Sequence, residues 1–73
     1  MKVVVVGAGA VGARAARQLV SSGEVGEMVV VERDPRRGVL VAEALGRVAR
    51  SSRWSPRLVE GADVVLLAAP STL

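Results

Sequence analysis

The chain has 73 residues, 51% of them hydrophobic, and a formal net charge of +3 from ten basic and seven acidic side chains. A chain of this length forms a single small domain at most, so we expect residues 1–73 to be one unit. The absence of cysteine and histidine excludes a disulfide framework and a Cys/His metal site. The apolar runs fall short of the ~20 residues that cross a bilayer, which predicts a cytoplasmic protein with no membrane partner.

Two strand–helix pairs are predicted in the first half of the chain. Residues 3–6 are a continuous run of valine, which is typical of a strand buried on both faces. Residues 11–22 have helical periodicity, with Gly12, Ala16, Leu19 and Val20 on one face, and Gly23 stands where the helix is expected to end. A second valine-rich strand is predicted over residues 28–31.

The next segment has clear signals for the start and end of a helix. Asp34 is a predicted N-cap, Pro35 suits the first helical position, and the helix is expected to run to about Leu45 and close at Gly46. Gly38 lies inside this helix, where glycine costs about 1 kcal/mol relative to alanine. Either it permits close packing, or the helix begins later.

The last third of the chain is less regular. Residues 48–49 are a candidate short strand at the edge of the sheet, and Ser55 and Pro56 begin a brief helix. A final apolar strand ends at Pro70. Strands and helices therefore alternate, which predicts a doubly wound α/β fold with parallel strands and right-handed crossovers.

Three glycines follow the first strand directly, at Gly7, Gly9 and Gly12. A helix that begins where a strand ends points its unpaired amides and its positive dipole end at the turn, which suits a phosphate. Gly7 would permit the tight turn, Gly9 the approach of a pyrophosphate, and Gly12 the close packing of helix and sheet. Glu32 ends the second strand 20 residues after Gly12, where a carboxylate can bind ribose hydroxyls. The pattern predicts dinucleotide binding, the alternative being a glycine turn without a ligand.

The segments "VVVVGAGAVGARAARQL", "VVVERDP" and "GADVVLLAAP" resemble the N-terminal Rossmann segment of NAD(P)-dependent dehydrogenases, in particular the saccharopine dehydrogenase-like and homoserine dehydrogenase-like group. The resemblance covers nearly the whole chain but only half of a complete six-stranded domain. It implies a partial Rossmann-type sheet of about four strands in the order 3-2-1-4, with two to three helices. It also implies that Ala68, Ala69 and Pro70 line the nicotinamide half of the cofactor. The candidate cofactor-binding residues are Gly7, Ala8, Gly9, Ala10, Val11, Gly12, Glu32, Arg33, Ala68, Ala69 and Pro70.

NAD is the expected cofactor, because the carboxylate of Glu32 would repel the 2′-phosphate of NADP. Arg33 leaves NADP open, since it can stack on adenine or pair with that phosphate, and Arg36 and Arg37 lie near enough to join it. FAD, the ATP of an adenylating enzyme, and a nucleotide-sensing domain of the potassium-channel type are rival interpretations of the same turn. The early return to "GADVVLLAAP" favours a nicotinamide cofactor over FAD.

A basic cluster of Arg47, Arg50, Arg53 and Arg57 surrounds Trp54, the one aromatic residue. Such arginines can contact nucleic-acid phosphates. The segment is broken by Ser-Ser and Ser-Pro, and one tryptophan is no stacking platform. We therefore expect a solvated charged face, with Trp54 covering the edge of the core and no nucleic-acid partner.

The chain offers few groups for catalysis, having no histidine, tyrosine or cysteine and only Lys2 as lysine. Ser71 and Thr72 lack a base to activate them. No catalytic residue is therefore predicted, and it is uncertain that the chain is itself an enzyme. We expect the cofactor-binding part of an oxidoreductase whose catalytic portion is absent from this chain. The alternative is a stand-alone nucleotide-binding or sensing module.

The last apolar strand would be an unpaired edge in the order 3-2-1-4. An uncharged, apolar edge promotes pairing with another chain. Besides the dinucleotide, the predicted partner is a second copy of the chain or the remainder of a larger enzyme.

Overall fold

The structure is a computed structural model that describes residues 1–7 and 9–68. In chain order its elements are β1 (Lys2–Val6), α1 (Ala10–Ser21), β2 (Glu27–Val31), α2 (Pro35–Leu45), β3 (Ala49–Ser52), a 3₁₀ helix (Pro56–Val59) and β4 (Val64–Leu67). No helix within this part of the chain is long and apolar enough to cross a membrane.

The four strands form one parallel sheet in the order β3-β2-β1-β4, which confirms the predicted fold class. In the central strand, Val4 is in register with Val29 on one side and Val65 on the other. The amino ends of β1 and β4 are joined reciprocally. The Lys2 amide donates to Asp63 Oδ2 at 2.7 Å, and the Asp63 amide donates to the Lys2 carbonyl at 2.9 Å.

Both faces of the sheet are covered near its centre, which is why its strands are continuous apolar runs rather than alternating ones. On one face the two helices cover Val3, Val5, Met28 and Val30, and Ala16 of α1 is fully buried among them. On the opposite face Val4, Val29 and Val31 pack against Leu58 of the 3₁₀ helix. The core is therefore two thin layers of mostly valine.

Helix α1 begins one residue earlier than the periodicity predicts. Gly9 is its N-cap with an extended backbone (φ −68°, ψ −176°), so Ala10 is already helical. The predicted buried face is confirmed, since Gly12 and Ala16 are buried and Leu19 and Val20 pack against the same core. Gly23 has the positive φ of 79° expected of a residue that ends a helix.

Helix α2 has the predicted signals at both ends, with the Asp34 carboxylate accepting from the Arg36 amide at 3.0 Å and Gly46 at φ 95°. The structure settles the question of Gly38 in favour of close packing. A Cβ at this position would lie 3.3 Å from Glu32 Cβ and 3.5 Å from Ser51 Cβ. The glycine lets α2 lie close over the ends of β2 and β3.

Replacing the cap Asp34 with alanine is expected to cost about 1 kcal/mol of unfolding free energy, because the Arg36 amide loses its acceptor. Urea denaturation of the variant measures this. Asp34→Ser should restore most of the loss, since serine is also a good N-cap; equal losses in both variants would contradict the capping role.

Two predictions in the last third of the chain need correction. The third strand is Ala49–Ser52 rather than residues 48–49, because parallel main-chain pairing with residues 28–31 carries it through polar side chains. Trp54 does not cover the core, since 56% of it is exposed. Leu58, only 9% exposed, covers that face instead and packs with Val4 and Val29.

Strand β4 is at the edge of the sheet, as predicted. Its side chains alternate between partly buried and exposed, with Val65 42% and Leu67 80% exposed.

Candidate functional site

A tight turn connects β1 to α1 at the carboxyl edge of the sheet. Gly7 has φ 89°, in the left-handed region that favours glycine. Its amide donates to the Val31 carbonyl at 2.8 Å, which ties the turn to the end of β2. The turn therefore brings the start of α1 and the residues after β2 to the same edge.

Gly12 is where helix α1 presses on the sheet. A Cβ at this position would lie 2.4 Å from the Gly7 carbonyl oxygen and 2.9 Å from Ala68 Cβ. Ala68 is held there because its amide donates to the Val6 carbonyl at 2.8 Å. Only a hydrogen fits between the helix, the turn and the residue that follows β4, as predicted for the third glycine.

Gly9 is in the opposite situation, because a Cβ there would have no atom within 4 Å. As the N-cap of α1 it accepts the Ala13 amide at 2.8 Å through its carbonyl, and no side chain caps the helix. The first turn of α1 also carries no acidic side chain. The positive end of a twelve-residue helix is thus open to an anion.

Glu32 follows β2 at the same edge and is half-buried. Its Oε1 accepts the Arg33 amide at 2.9 Å, which fixes the carboxylate near its own backbone. Because the Gly7 amide is bonded to residue 31, the carboxylate and the glycine turn belong to neighbouring strand ends.

A cleft of about 280 Å³ opens beside Glu32. Its wall is formed by the end of β2, the first turns of α2 and the end of β3, with Glu32, Pro35, Gly38, Val39, Ser51, Ser52 and Arg53 lining it. Gly38, where α2 comes closest to Glu32 and Ser51, is part of this wall. Ser51, Ser52 and Arg53 were not predicted from the sequence, because the polar end of β3 does not have the apolar pattern of a strand. In the structure, Ser51 and Ser52 are in register with residues 30–31, which brings them to this cleft.

Four exposed arginines lie at this edge of the sheet. Arg53 lines the cleft, Arg33 directly follows Glu32, and Arg36 and Arg37 are in the first turn of α2. Within residues 1–7 and 9–68, the one ion pair joins Arg50 and Glu27 at 3.1 Å. None of the four arginines therefore forms an ion pair within this part of the chain. Cations at the start of a helix are not stabilised by its dipole. At this edge of the sheet, four guanidinium groups therefore outnumber the carboxylates of Glu32 and Asp34.

The structure brings together the glycine turn, Glu32 and Ala68 at the carboxyl edge. Ala10 and Val11 form the first turn of α1, where Val11 is 78% exposed, and Arg33 is exposed beside Glu32. Ala8, Ala69 and Pro70 are predicted site residues that lie outside the described residues.

A parallel sheet in this order, with a glycine turn that opens a helix and an acidic residue after the second strand, defines a dinucleotide-binding domain of the dehydrogenase type. The chain belongs to the shikimate / quinate 5-dehydrogenase family, whose model matches residues 1–73. A search of the curated proteins found no match. The prediction of an NAD(P)-binding segment of an oxidoreductase is confirmed at this level. The family is a different one from the saccharopine and homoserine dehydrogenase groups that the sequence resembles.

Proposed function

We propose that this chain binds NAD as the cofactor-binding part of an oxidoreductase, with the pyrophosphate at the start of α1. The observation that carries the proposal is the contrast between two glycines. At Gly12 a Cβ would strike the Gly7 carbonyl, whereas at Gly9 the space is open. At Gly12 helix α1 packs as closely as possible against the sheet, whereas at Gly9 its amino end has no side chain in the way of a phosphate.

The pyrophosphate would be held by main-chain amides of the first turn of α1. Amides at a helix start have no partner within the helix, and the helix dipole adds a favourable field for negative charge. Because no side chain caps α1, these donors are available to phosphate oxygens. Residues 7–12 would therefore bind through their backbone, with Gly9 keeping the approach clear.

Glu32 would bind the adenosine ribose. A carboxylate accepts hydrogen bonds from both ribose hydroxyls, and the Arg33 amide holds it in place for them. The neighbouring cleft, lined by Glu32, Pro35 and Arg53 among others, would take the adenine base.

Ala68 would lie against the nicotinamide half, since it directly follows β4 and lies beside Gly12 in the first turns of α1. Ala69 and Pro70 are proposed for the same position from the resemblance alone. When bound, the cofactor supplies the hydride-transfer chemistry, and this chain's residues hold and orient it. With no histidine, tyrosine or cysteine in the chain, we assign proton transfer and substrate binding to residues outside these 73.

NADP is a second candidate, and the four unpaired arginines favour it. Guanidinium groups bind phosphates well, and Arg33 and Arg53 flank Glu32 and its cleft. The two cofactors place opposite demands on Glu32, since free hydroxyls need its carboxylate and a 2′-phosphate is repelled by it.

Calorimetric titration of the chain with NAD, NADP, FAD and ATP tests the proposal. We expect NAD to bind, and Glu32→Ala to weaken it about tenfold, which corresponds to the loss of about 1.4 kcal/mol of charge-assisted hydrogen bonding. Glu60→Ala is the matched control, because Glu60 lies at the amino end of the sheet, where its carbonyl accepts Lys2 Nζ.

Each other outcome has a distinct meaning. Tighter binding of NADP, lost in Arg33→Ala and strengthened in Glu32→Ala, would assign the cofactor to the second candidate. Tighter binding of FAD or ATP would replace the nicotinamide proposal, and no binding of any nucleotide by the folded chain would overturn it.

A further inference from the structure

Helix α2 presents an apolar stripe to solvent, next to the cleft that Val39 also lines. Val39 is 44% and Leu40 66% exposed, and Arg36 and Glu43 flank them at helical spacing. With Pro35, these residues line a shallow depression of about 480 Å³. We refer to Arg36, Val39, Leu40 and Glu43 as the α2 stripe.

The α2 stripe is complementary to itself. Residues 36 and 43 are equally distant from the midpoint between residues 39 and 40. A two-fold axis through that midpoint would therefore place a second copy's α2 antiparallel to the first. Arg36 would then face Glu43 of the second copy, and Val39 would face Leu40 of the second copy, with each pair formed twice. Such an isologous arrangement is the commonest in soluble oligomers.

The charges of the stripe have no partner within the described part of the chain. Arg36 and Glu43 are seven residues apart, about 10.5 Å along the helix, too far for an ion pair with each other. Among residues 1–7 and 9–68 neither forms an ion pair with any other side chain. Charges that support an isolated helix are spaced by three or four residues instead.

We propose that the α2 stripe is the contact surface between two copies of this chain. Leu40 also lines a groove of about 250 Å³ between α1 and α2, with Ala13, Arg17 and Ala44 among its other walls, so the apolar surface continues beyond the stripe. The α2 stripe covers only two helical turns, so a dimer formed through it buries less than the roughly 1,200–2,000 Å² typical of stable interfaces. The dimer is therefore weak, and its formation depends on concentration.

The exposed edge of β4 is the competing surface for self-association. Its exposed residues, Val65 and Leu67, carry no charge that would select a partner or an orientation. It also leads into residues 69–73, which lie outside the described residues. The α2 stripe, by contrast, is fully described and specifies both its partner and the antiparallel orientation.

Sedimentation equilibrium of the 73-residue chain over a wide concentration range tests the proposal through a charge exchange. Arg36→Glu and Glu43→Arg each turn two attractive pairs of the dimer into repulsive ones, and each is expected to raise the dimer Kd about tenfold at low salt. The double variant R36E/E43R recreates both pairs in reverse and should return the Kd to near the wild-type value. Circular dichroism checks that each variant is folded.

Leu67→Lys on β4 is the matched control and should leave the dimer intact. A chain that stays monomeric at millimolar concentration would overturn the proposal, and so would a dimer that ignores the charge exchange. A dimer abolished by Leu67→Lys alone would assign association to the edge strand. Nucleotide titration of Glu43→Arg, whose position is not among the candidate cofactor-binding residues, keeps this result separate from cofactor binding.

Discussion

Replacing Gly12 with alanine is expected to destabilise the chain by about 3 kcal/mol, the upper part of the range for overpacking a core. The new Cβ would stand 2.4 Å from the Gly7 carbonyl oxygen, and backbone yields far less readily than a side chain. Helix α1 would have to move off the sheet, and with it the helix end proposed to bind pyrophosphate. Thermal unfolding and NAD titration should therefore both show the loss.

Gly9→Ala is the matched control, because it adds the same methyl group four ångströms or more from any neighbour. Its φ of −68° suits alanine, so the unfolding free energy should change little. Binding of NAD should nevertheless fall, since the methyl occupies the approach to the helix end. If Gly9→Ala left binding intact, the phosphate would not be at this turn; if Gly12→Ala were as stable as wild type, the helix–sheet contact would be looser than described.

Met28→Ala is expected to cost about 2–5 kcal/mol, as is typical for removing a large buried side chain. Met28 is fully buried in β2, beneath both helices. Domains of this size are stable by only about 0.05–0.15 kcal/mol per residue, so the variant should lose a large part of its unfolding free energy. Denaturant titration followed by circular dichroism measures the change.

Met28→Leu preserves the volume and should cost less than about 1.5 kcal/mol. Similar losses in both variants would mean that the site tolerates only the shape of methionine. No loss in Met28→Ala would mean that the layer between sheet and helices collapses around the cavity.

The elements of the first half of the chain could be predicted because valine runs and caps mark each one separately, whereas the order of the strands came from the resemblance to dehydrogenases. Residues 3–6 and 28–31 are apolar enough to identify buried parallel strands, and Asp34-Pro35 marks the start of α2 without any tertiary information. The full extent of β3 could not be predicted in this way. At the edge of the sheet, main-chain pairing is enough to form a strand, so Arg50, Ser51 and Ser52 need no apolar pattern.

The site was predictable to the extent that it depends on backbone shape. Gly7 is required because its φ is positive, and Gly12 because its contact with the turn leaves no room for a methyl group. Both requirements are visible in the sequence as glycines. The cleft beside Glu32 was not predictable, because it depends on how closely α2 approaches β3. The prediction for Trp54 was wrong for a related reason: its size suggests burial, but Leu58 is the residue that packs against this face of the sheet.

The parallel sheet also sets an order of assembly. On one side of β1, Lys2 pairs with Glu27 of β2, which is close in sequence. On the other side, Val3 pairs with Val64 of β4, which is synthesised much later. At roughly 5–20 residues per second on the ribosome, β1 and β2 are complete some seconds before β4 emerges. Contacts this distant in sequence also close slowly. The four consecutive valines of β1 therefore have one side unpaired until β4 is synthesised. Chaperone binding or misassembly would act on that nascent edge rather than on the finished molecule.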